Sequence, residues 1–330
     1  MRVLVLGGTR FIGPPIVQEL VDSGHEVVLF HRGHSEPERS AGADHIHGDF
    51  MNFKESLPKL LDLSPDVVLD NVPSIDKAGH GVLRFAGVAH RAVVVTSLDV
   101  YRAFAVAWGS EGDGVPEPMP LTEDSPLRAR PAPDLTPDID FDNLDVERAL
   151  LDRAGLLVTV LRLPMVYGPN DPQHRLFNYL RRMDDGREAI VLDEARAALH
   201  WSRGYVENVA AAVALAVADP RSAGRVYNVA APETPSEAEW VRLIGEACGW
   251  TGKIVVAPSK SLPPSMRSPL VVQQDLVVNS KRIRAELGYA ERVLLDDGLR
   301  RSVAWTRANP PTDVPVDYSI EDRVLAGVAT

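Results

Sequence analysis

Val3-Leu4-Val5-Leu6-Gly7-Gly8-Thr9-Arg10-Phe11-Ile12-Gly13 opens the chain with an apolar run, a pair of glycines and, five residues later, a third. The run Arg2–Leu6 reads as a buried strand, and Pro14–Ser23 follows it with helical spacing. Between them the glycines allow positive φ and let the backbone come close to a pyrophosphate. The helix that begins there offers unpaired N–H groups and a favourable dipole. Pro14 and Pro15 suit a first helical turn, whose N–H groups have no partner within the helix. A glycine pair alone marks only a turn. Placed at the first strand-to-helix connection, it marks a dinucleotide-binding turn.

Further strands are expected at Glu26–Phe30, Asp66–Asp70, Ala92–Thr96 and Val158–Leu163, with a helix at Asp145–Ala154. Strands alternating with helices imply parallel pairing through right-handed crossovers, hence an α/β fold with a doubly wound sheet. Val115–Pro137 holds seven prolines and little periodicity, and reads as a long surface loop. Beyond Gly168 the composition is mixed. Glu237–Cys248 and Ser280–Leu287 read as helices of a smaller C-terminal lobe. The expected division is a dinucleotide-binding domain over 1–169, to which 204–231 returns, and a substrate lobe over 170–203 and 232–330.

With 330 residues, 45% hydrophobic and 25% charged, the chain has ample material for a core. Its net charge of −11 disfavours nucleic acid as a partner. The single cysteine, Cys248, offers no thiolate cluster, and the nine histidines show no familiar metal spacing, so no metal is expected. The longest apolar run, Val209–Ala218, is half of the roughly 20 residues a membrane span needs and reads as a buried helix. The N-terminus lacks a long apolar leader. A cytoplasmic location with no membrane contact is expected, and a homodimer is compatible with the sequence.

GGTRFIG resembles the GxxGxxG fingerprint of extended short-chain dehydrogenases, the superfamily of NAD-dependent epimerases and dehydratases, with Arg10 in place of the middle glycine. Later segments extend the resemblance: His47-Gly48-Asp49, Thr96-Ser97-Leu98-Asp99-Val100-Tyr101, Leu161-Arg162-Leu163-Pro164-Met165-Val166-Tyr167-Gly168-Pro169, Gly204–Ala210 and Val226–Val229. It implies a Rossmann domain whose cofactor contacts come from Gly7, Thr9, Arg10, Phe11, Ile12, Gly13, Asp49, Asn71 and Pro164. An NAD site places an acid after the second strand, and here Phe30-His31-Arg32-Gly33 supplies none before Glu36. Arg10 and Arg32 flank the adenosine ribose position instead and suit a 2′-phosphate, so NADP is the expected cofactor, with NAD as the alternative.

The resemblance also implies a catalytic tyrosine and, four residues later, a lysine that lowers its pKa. Aligned on Val146-Glu147, this chain has Ile139 and Asn143 at those positions. A Tyr-Asp-Lys alignment reads Phe141-Asp142-Asn143, and no Tyr or Lys occurs between Tyr101 and Tyr167. Asn143 remains a candidate for the nicotinamide ribose. Ser97 matches the family's substrate-binding hydroxyl, and the proton must pass through another group: Tyr101, Asp99, Tyr167 or His200. Arg181, Arg182, Arg187, Arg196 and Arg203 form a basic stretch, read either as a solvated face or as a clamp for phosphates. The expected function is an NAD(P)-binding epimerase/dehydratase-like oxidoreductase acting on a hydroxyl or carbonyl of a small polar substrate, such as a nucleotide sugar or a specialised metabolite. A non-redox cyclisation or elimination in the same pocket and a degenerate dinucleotide-binding regulator are the alternatives.

Overall fold

A computed structural model describes residues 1–35, 40, 42–72, 81–130, 142–151, 155–312 and 314–328. In chain order the elements are β1 (Arg2–Leu6), α1 (Gly13–Asp22), β2 (Glu26–His31), β3 (Asp44–His47), α2 (Phe53–Asp62), β4 (Val67–Asp70), β5 (Arg91–Ser97), α3 (Arg102–Ala107), α4 (Asn143–Leu151), β6 (Leu157–Leu163) and β7 (Met165–Tyr167). They continue with α5 (Phe177–Asp184), β8 (Ala189–Asp193), α6 (Glu194–Ala197), β9 (Arg203–Tyr205), α7 (Val206–Ala218), β10 (Val226–Asn228), α8 (Glu237–Cys248), β11 (Lys253–Ala257), α9 (Lys281–Leu287), α10 (Leu295–Ala308) and α11 (Ser319–Val328).

Among the described residues the main sheet has seven strands in the order β10-β6-β5-β4-β1-β2-β3, and every pairing in it is parallel. Alternate residues of the central strands feed two different cores. Val3, Val5, Val27, Leu29, Val67 and Leu69 pack towards α1 and α7, whereas Leu4, Leu6, Val28, Phe30 and Val68 pack on the opposite face with Leu60 and Val146. Burial on both faces is why these strands read as continuous apolar runs rather than as alternating ones. The chain leaves β1 towards β2 and β3, then crosses to β4 on the other side. That reversal opens a crevice at the carboxyl ends of β1 and β4, where sheets of this kind take their ligands.

β8 and β11 form a separate parallel pair, and β7 pairs with β9. Val226–Asn228 returns to the main sheet as its edge strand beside β6. The long proline-rich loop is described as far as residue 130 and is irregular. It is pinned where Leu121 N donates to Val277 O and Asn279 N donates to Leu121 O. Its part from 131 to 137, with Ile139 and Phe141 beyond it, lies outside the described residues. None of the helices among the described residues is long and apolar enough to cross a membrane.

Candidate active site

At the crevice a cavity of about 320 Å³ is lined by Gly7, Gly8, Thr9, Arg10, Ile12, His31, Arg32, His34, Ser35, Phe50, Asn71 and Val72. Its floor requires glycine. A Cβ on Gly7, whose φ is +75°, would meet Val72 Cγ2 at 2.4 Å, and one on Gly13 would meet the Gly8 carbonyl carbon at 2.4 Å. The buried Asn71 Oδ1 has no hydrogen-bond partner among the described residues, so a donor from a ligand would answer it. Close backbone, a helix start behind it and an unanswered acceptor fit a dinucleotide. Arg10 and Arg32 line the same cavity, with His34 and Ser35 beside them. Glu36 lies outside the described residues.

Of the other sequence-assigned cofactor residues, Asp49, Phe11, Asn143 and Pro164 are not in this cavity's wall, and Pro164 lines a different cavity. Asp49 caps the turn at Phe50–Asn52 by accepting from Met51 N at 2.9 Å, and Phe50 takes its place in the cavity wall. Phe11, at φ +44°, packs against the core. Asn143 turns its amide to Asp99, donating to Oδ1 at 3.3 Å.

A second cavity, of about 500 Å³, opens at the end of β5. Ser97, Asp99, Arg128 and Pro164 line it together with Phe104, Trp108, Met165 and Trp201. The turn Leu98–Val100 is nucleated by Ser97 itself, whose Oγ accepts from Asp99 N at 3.3 Å. That bond uses a lone pair of the Ser97 oxygen, and the Ser97 hydroxyl also hydrogen-bonds the Asp99 side chain, which favours its ionised form. Burial raises the Asp99 carboxyl above its ordinary value; Arg128 opposes the shift and Asp142 adds to it. Arg128 is itself held by Asp142 in a bidentate pair, at 3.0 and 2.9 Å, and donates from Nε to the Asp99 carbonyl at 2.6 Å. Its charge thus pairs with Asp142 and only partly offsets the effect of burial on Asp99.

Tyr101, expected as a catalytic phenol, is a core residue. Its ring is fully buried, and its hydroxyl donates to Asn228 Oδ1 at 2.6 Å and accepts from Arg162 at 2.9 Å. Burial pushes the phenol up to about 12, against the pull of Arg162. Tyr167 is also buried, and its phenol is raised by burial. His200 is half-exposed and meets Asp275 at 3.2 Å, away from the cavity walls. Of the proposed proton carriers, Asp99 alone joins Ser97 in the large cavity's wall.

A third cavity, of about 310 Å³, adjoins the second through shared walls at Trp108, Met165, Gln173, Arg175 and Trp201. Arg196 and Arg203 from the basic stretch line it, paired with Glu237. Arg181, Arg182 and Arg187 do not; they pair with Asp185, Glu321 and Asp322. The phosphate-clamp reading therefore fails for those three.

Sequence spacing also hid a histidine group. Ring nitrogens of His31, His45 and His47, from β2 and β3, lie within 4.8 Å of one another. Gly33 N donates to His31 Nδ1 at 3.1 Å, and His31 Nε2 faces His45 Nδ1 at 2.8 Å. The backbone donor leaves the neutral ring's proton on Nε2, which makes this contact a hydrogen bond from His31 to His45. The group comes together only because β3 pairs with β2 in register, His31 opposite His47.

A sequence profile described as the NAD-dependent epimerase/dehydratase family matches residues 3–78 and 146–230. A dTDP-glucose 4,6-dehydratase of Streptomyces griseus is 30% identical over 56% of this chain, which spans about half (52%) of that relative. A 2-alkyl-3-oxoalkanoate reductase of Stenotrophomonas maltophilia is 25% identical over 93% of this chain and 100% of its own length. Among solved structures, a UDP-glucose 4-epimerase of Thermus thermophilus in complex with NAD superimposes with a TM-score of 0.67 at 22% identity, covering 94% of this chain and 100% of that one. The chain is an enzyme of the NAD-dependent epimerase/dehydratase family.

Proposed function

We propose that the protein transfers hydride between a nicotinamide dinucleotide, NADP in preference to NAD, and a carbonyl or hydroxyl of a small substrate, with Asp99 handling the proton. The observation that carries the reading is the Asp99 carboxyl beside Ser97 in the wall of the 500 Å³ cavity, raised by burial. The bound nicotinamide would supply or accept the hydride. Ser97 donates its hydroxyl hydrogen to the substrate oxygen and so orients it. Asp99 holds a proton that it delivers to that oxygen in reduction and takes back in oxidation. Asn143 steadies the Asp99 carboxyl by donating to it. The relatives named as a reductase and a dehydratase support chemistry at oxygenated carbon.

Steady-state oxidation of NADPH against a panel of ketones tests the assignment. Asp99→Asn and Ser97→Ala should each lower turnover by about 10²–10⁴-fold, the usual contribution of a positioned acid or hydrogen-bond donor. NADPH affinity, read by fluorescence titration, should stay within about threefold, because these residues contribute side chains outside the dinucleotide cavity. Undiminished turnover in both variants would reject these roles. For cofactor choice, Arg32→Ala should weaken NADP by about tenfold or more and leave NAD unchanged, the effect of losing a charge-assisted hydrogen bond. Equal losses for both cofactors in calorimetry would reject a 2′-phosphate contact.

A further inference from the structure

The second and third cavities form one trough, since Trp108, Met165, Gln173, Arg175 and Trp201 belong to the walls of both. One end carries Ser97 and Asp99, the other Arg196, Arg203 and Glu237. The walls between are dominated by the aromatic and apolar side chains of Trp108, Trp201 and Met165.

Charge is unevenly matched along this trough. Arg128 pairs with Asp142, and Arg175 with Asp171. Arg196 and Arg203 share the single carboxylate of Glu237, which also accepts the Tyr179 hydroxyl at 2.6 Å. Among the ion pairs of the described residues, the Arg196–Arg203 end therefore sets two cations against one carboxylate. Arg203 is nearly fully buried, with 5% of its side chain exposed. Its guanidinium lies over the Trp240 ring at 4.4 Å, and its Nε has no hydrogen-bond partner among the described residues. A desolvated cation with an unanswered N–H is costly unless an anion completes it. One monovalent anion balances the excess; a diphosphate would reverse it, and a neutral ligand would leave the Arg203 Nε unpaired.

We infer that the substrate is an amphipathic monocarboxylate, its carboxylate at Arg196 and Arg203, its apolar body between Trp108 and Trp201, and its reacting carbonyl or hydroxyl at Ser97 and Asp99. This substrate class rests on the reading of the Ser97–Asp99 end as the seat of carbonyl chemistry. It is an oxo or hydroxy acid with an alkyl or aryl body, separated by that body from the group that reacts. It differs from a nucleotide sugar in having one charge rather than two and an apolar rather than a sugar middle.

The test uses the full chain saturated with NADP⁺ and follows binding by calorimetry. Probes are a set of medium-chain and aryl-substituted oxo acids, their methyl esters, and UDP-glucose. At least one acid should bind tighter than its ester by about tenfold or more, the worth of one charge-assisted hydrogen bond, and tighter than UDP-glucose. Arg196→Gln, at a side chain 47% exposed and so tolerant of replacement, should shrink the acid-to-ester ratio below about threefold, a change smaller than one such bond. Equal binding of every acid and its ester, no binding by any acid, or tighter binding of UDP-glucose would overturn the assignment. Turnover of NADPH with the same probes reads the underlying reaction separately. An acid that binds in preference to its ester while no probe is reduced supports the carboxylate site and sinks the hydride reading. Equal turnover and equal affinity of acid and ester do the reverse.

Discussion

At Asp99 catalytic use and stability pull in opposite directions. Burial disfavours the ionised carboxyl, so its pKa in the fold lies above the ordinary aspartate value. Between the unfolded and folded pKa values the native state binds more protons than the unfolded chain, so this residue's contribution to stability falls as pH rises through that window. Above it, the full penalty for burying a charge remains. Asp99→Asn keeps the hydrogen-bonding shape and removes the charge. Its melting temperature should therefore exceed that of the wild type at neutral pH, and the difference should shrink as pH falls towards 4, roughly the unfolded value. Equal melting temperatures across that range would show that Asp99 is ionised at no cost. The glycine turn was legible in the sequence because its chemistry is local and its order along the chain is fixed. The meeting of Asp99 with Asn143 was not, because 44 residues separate them. Tyr101 was misassigned for the opposite reason: its place in a motif says that it matters but not whether it faces substrate or core.

The elements around the site are tied by one buried network. Glu147 of α4, fully buried, accepts Thr96 Oγ1 of β5 at 2.8 Å and Arg162 of β6 at 2.7–3.1 Å. Arg162 passes the chain of bonds to Tyr101, and Tyr101 passes it to Asn228 of β10. Three of the motif segments thus meet helix α4 in a scaffold that fixes the end of β5, where Ser97 sits. Glu147→Ala leaves Arg162 buried without its partner and should cost about 3–5 kcal/mol in urea unfolding. The double variant Glu147→Leu/Arg162→Met should lose less than the sum of the single losses, as coupled partners do; simple additivity would deny the network. Strands β1, β2, β4, β5 and β6 were legible as buried apolar runs. β3, with the sequence Asp-His-Ile-His, was missed because it is an edge strand with one buried side chain, Ile46. Helix α10 was missed because its inward face is Gly298, Leu299, Ser302, Val303 and Thr306, only two of them large and apolar. Gly298 is required there by the Tyr205 ring, which a Cβ would meet at 2.9 Å.

On the scale of the whole molecule, the dinucleotide cavity and the arginine end of the trough depend on different parts of the chain. The first is built from the turns after β1, β2 and β4. The second stands on α6 and α8, which lean on the β8–β11 pair, and on β9, which pairs with β7. Helix α11 closes that pair from outside. Its Glu321, 4% exposed, accepts the backbone N–H of Val191 at 3.0 Å and pairs with Arg182 and Arg187. Val324 and Leu325 pack onto Val191, Ala257 and Leu262. Removing residues 314–330 would strip a buried backbone donor of its partner, which costs about 1–3 kcal/mol. It would also uncover the apolar cluster beneath. The loss falls on the β8–β11 pair, which is a separate sheet from the one that carries the glycine turn. NADPH should therefore still raise the melting temperature of the truncated chain, with an affinity within about threefold of the full chain's, since distant sites are nearly independent. Binding of the carboxylate probes should fall by more than about tenfold, the equivalent of roughly 1.4 kcal/mol, because Arg196 and Glu237 lose their support. Loss of NADPH binding together with the probes would mean that the two regions fold as one cooperative unit. Retention of both would mean that α11 covers the lobe without holding it.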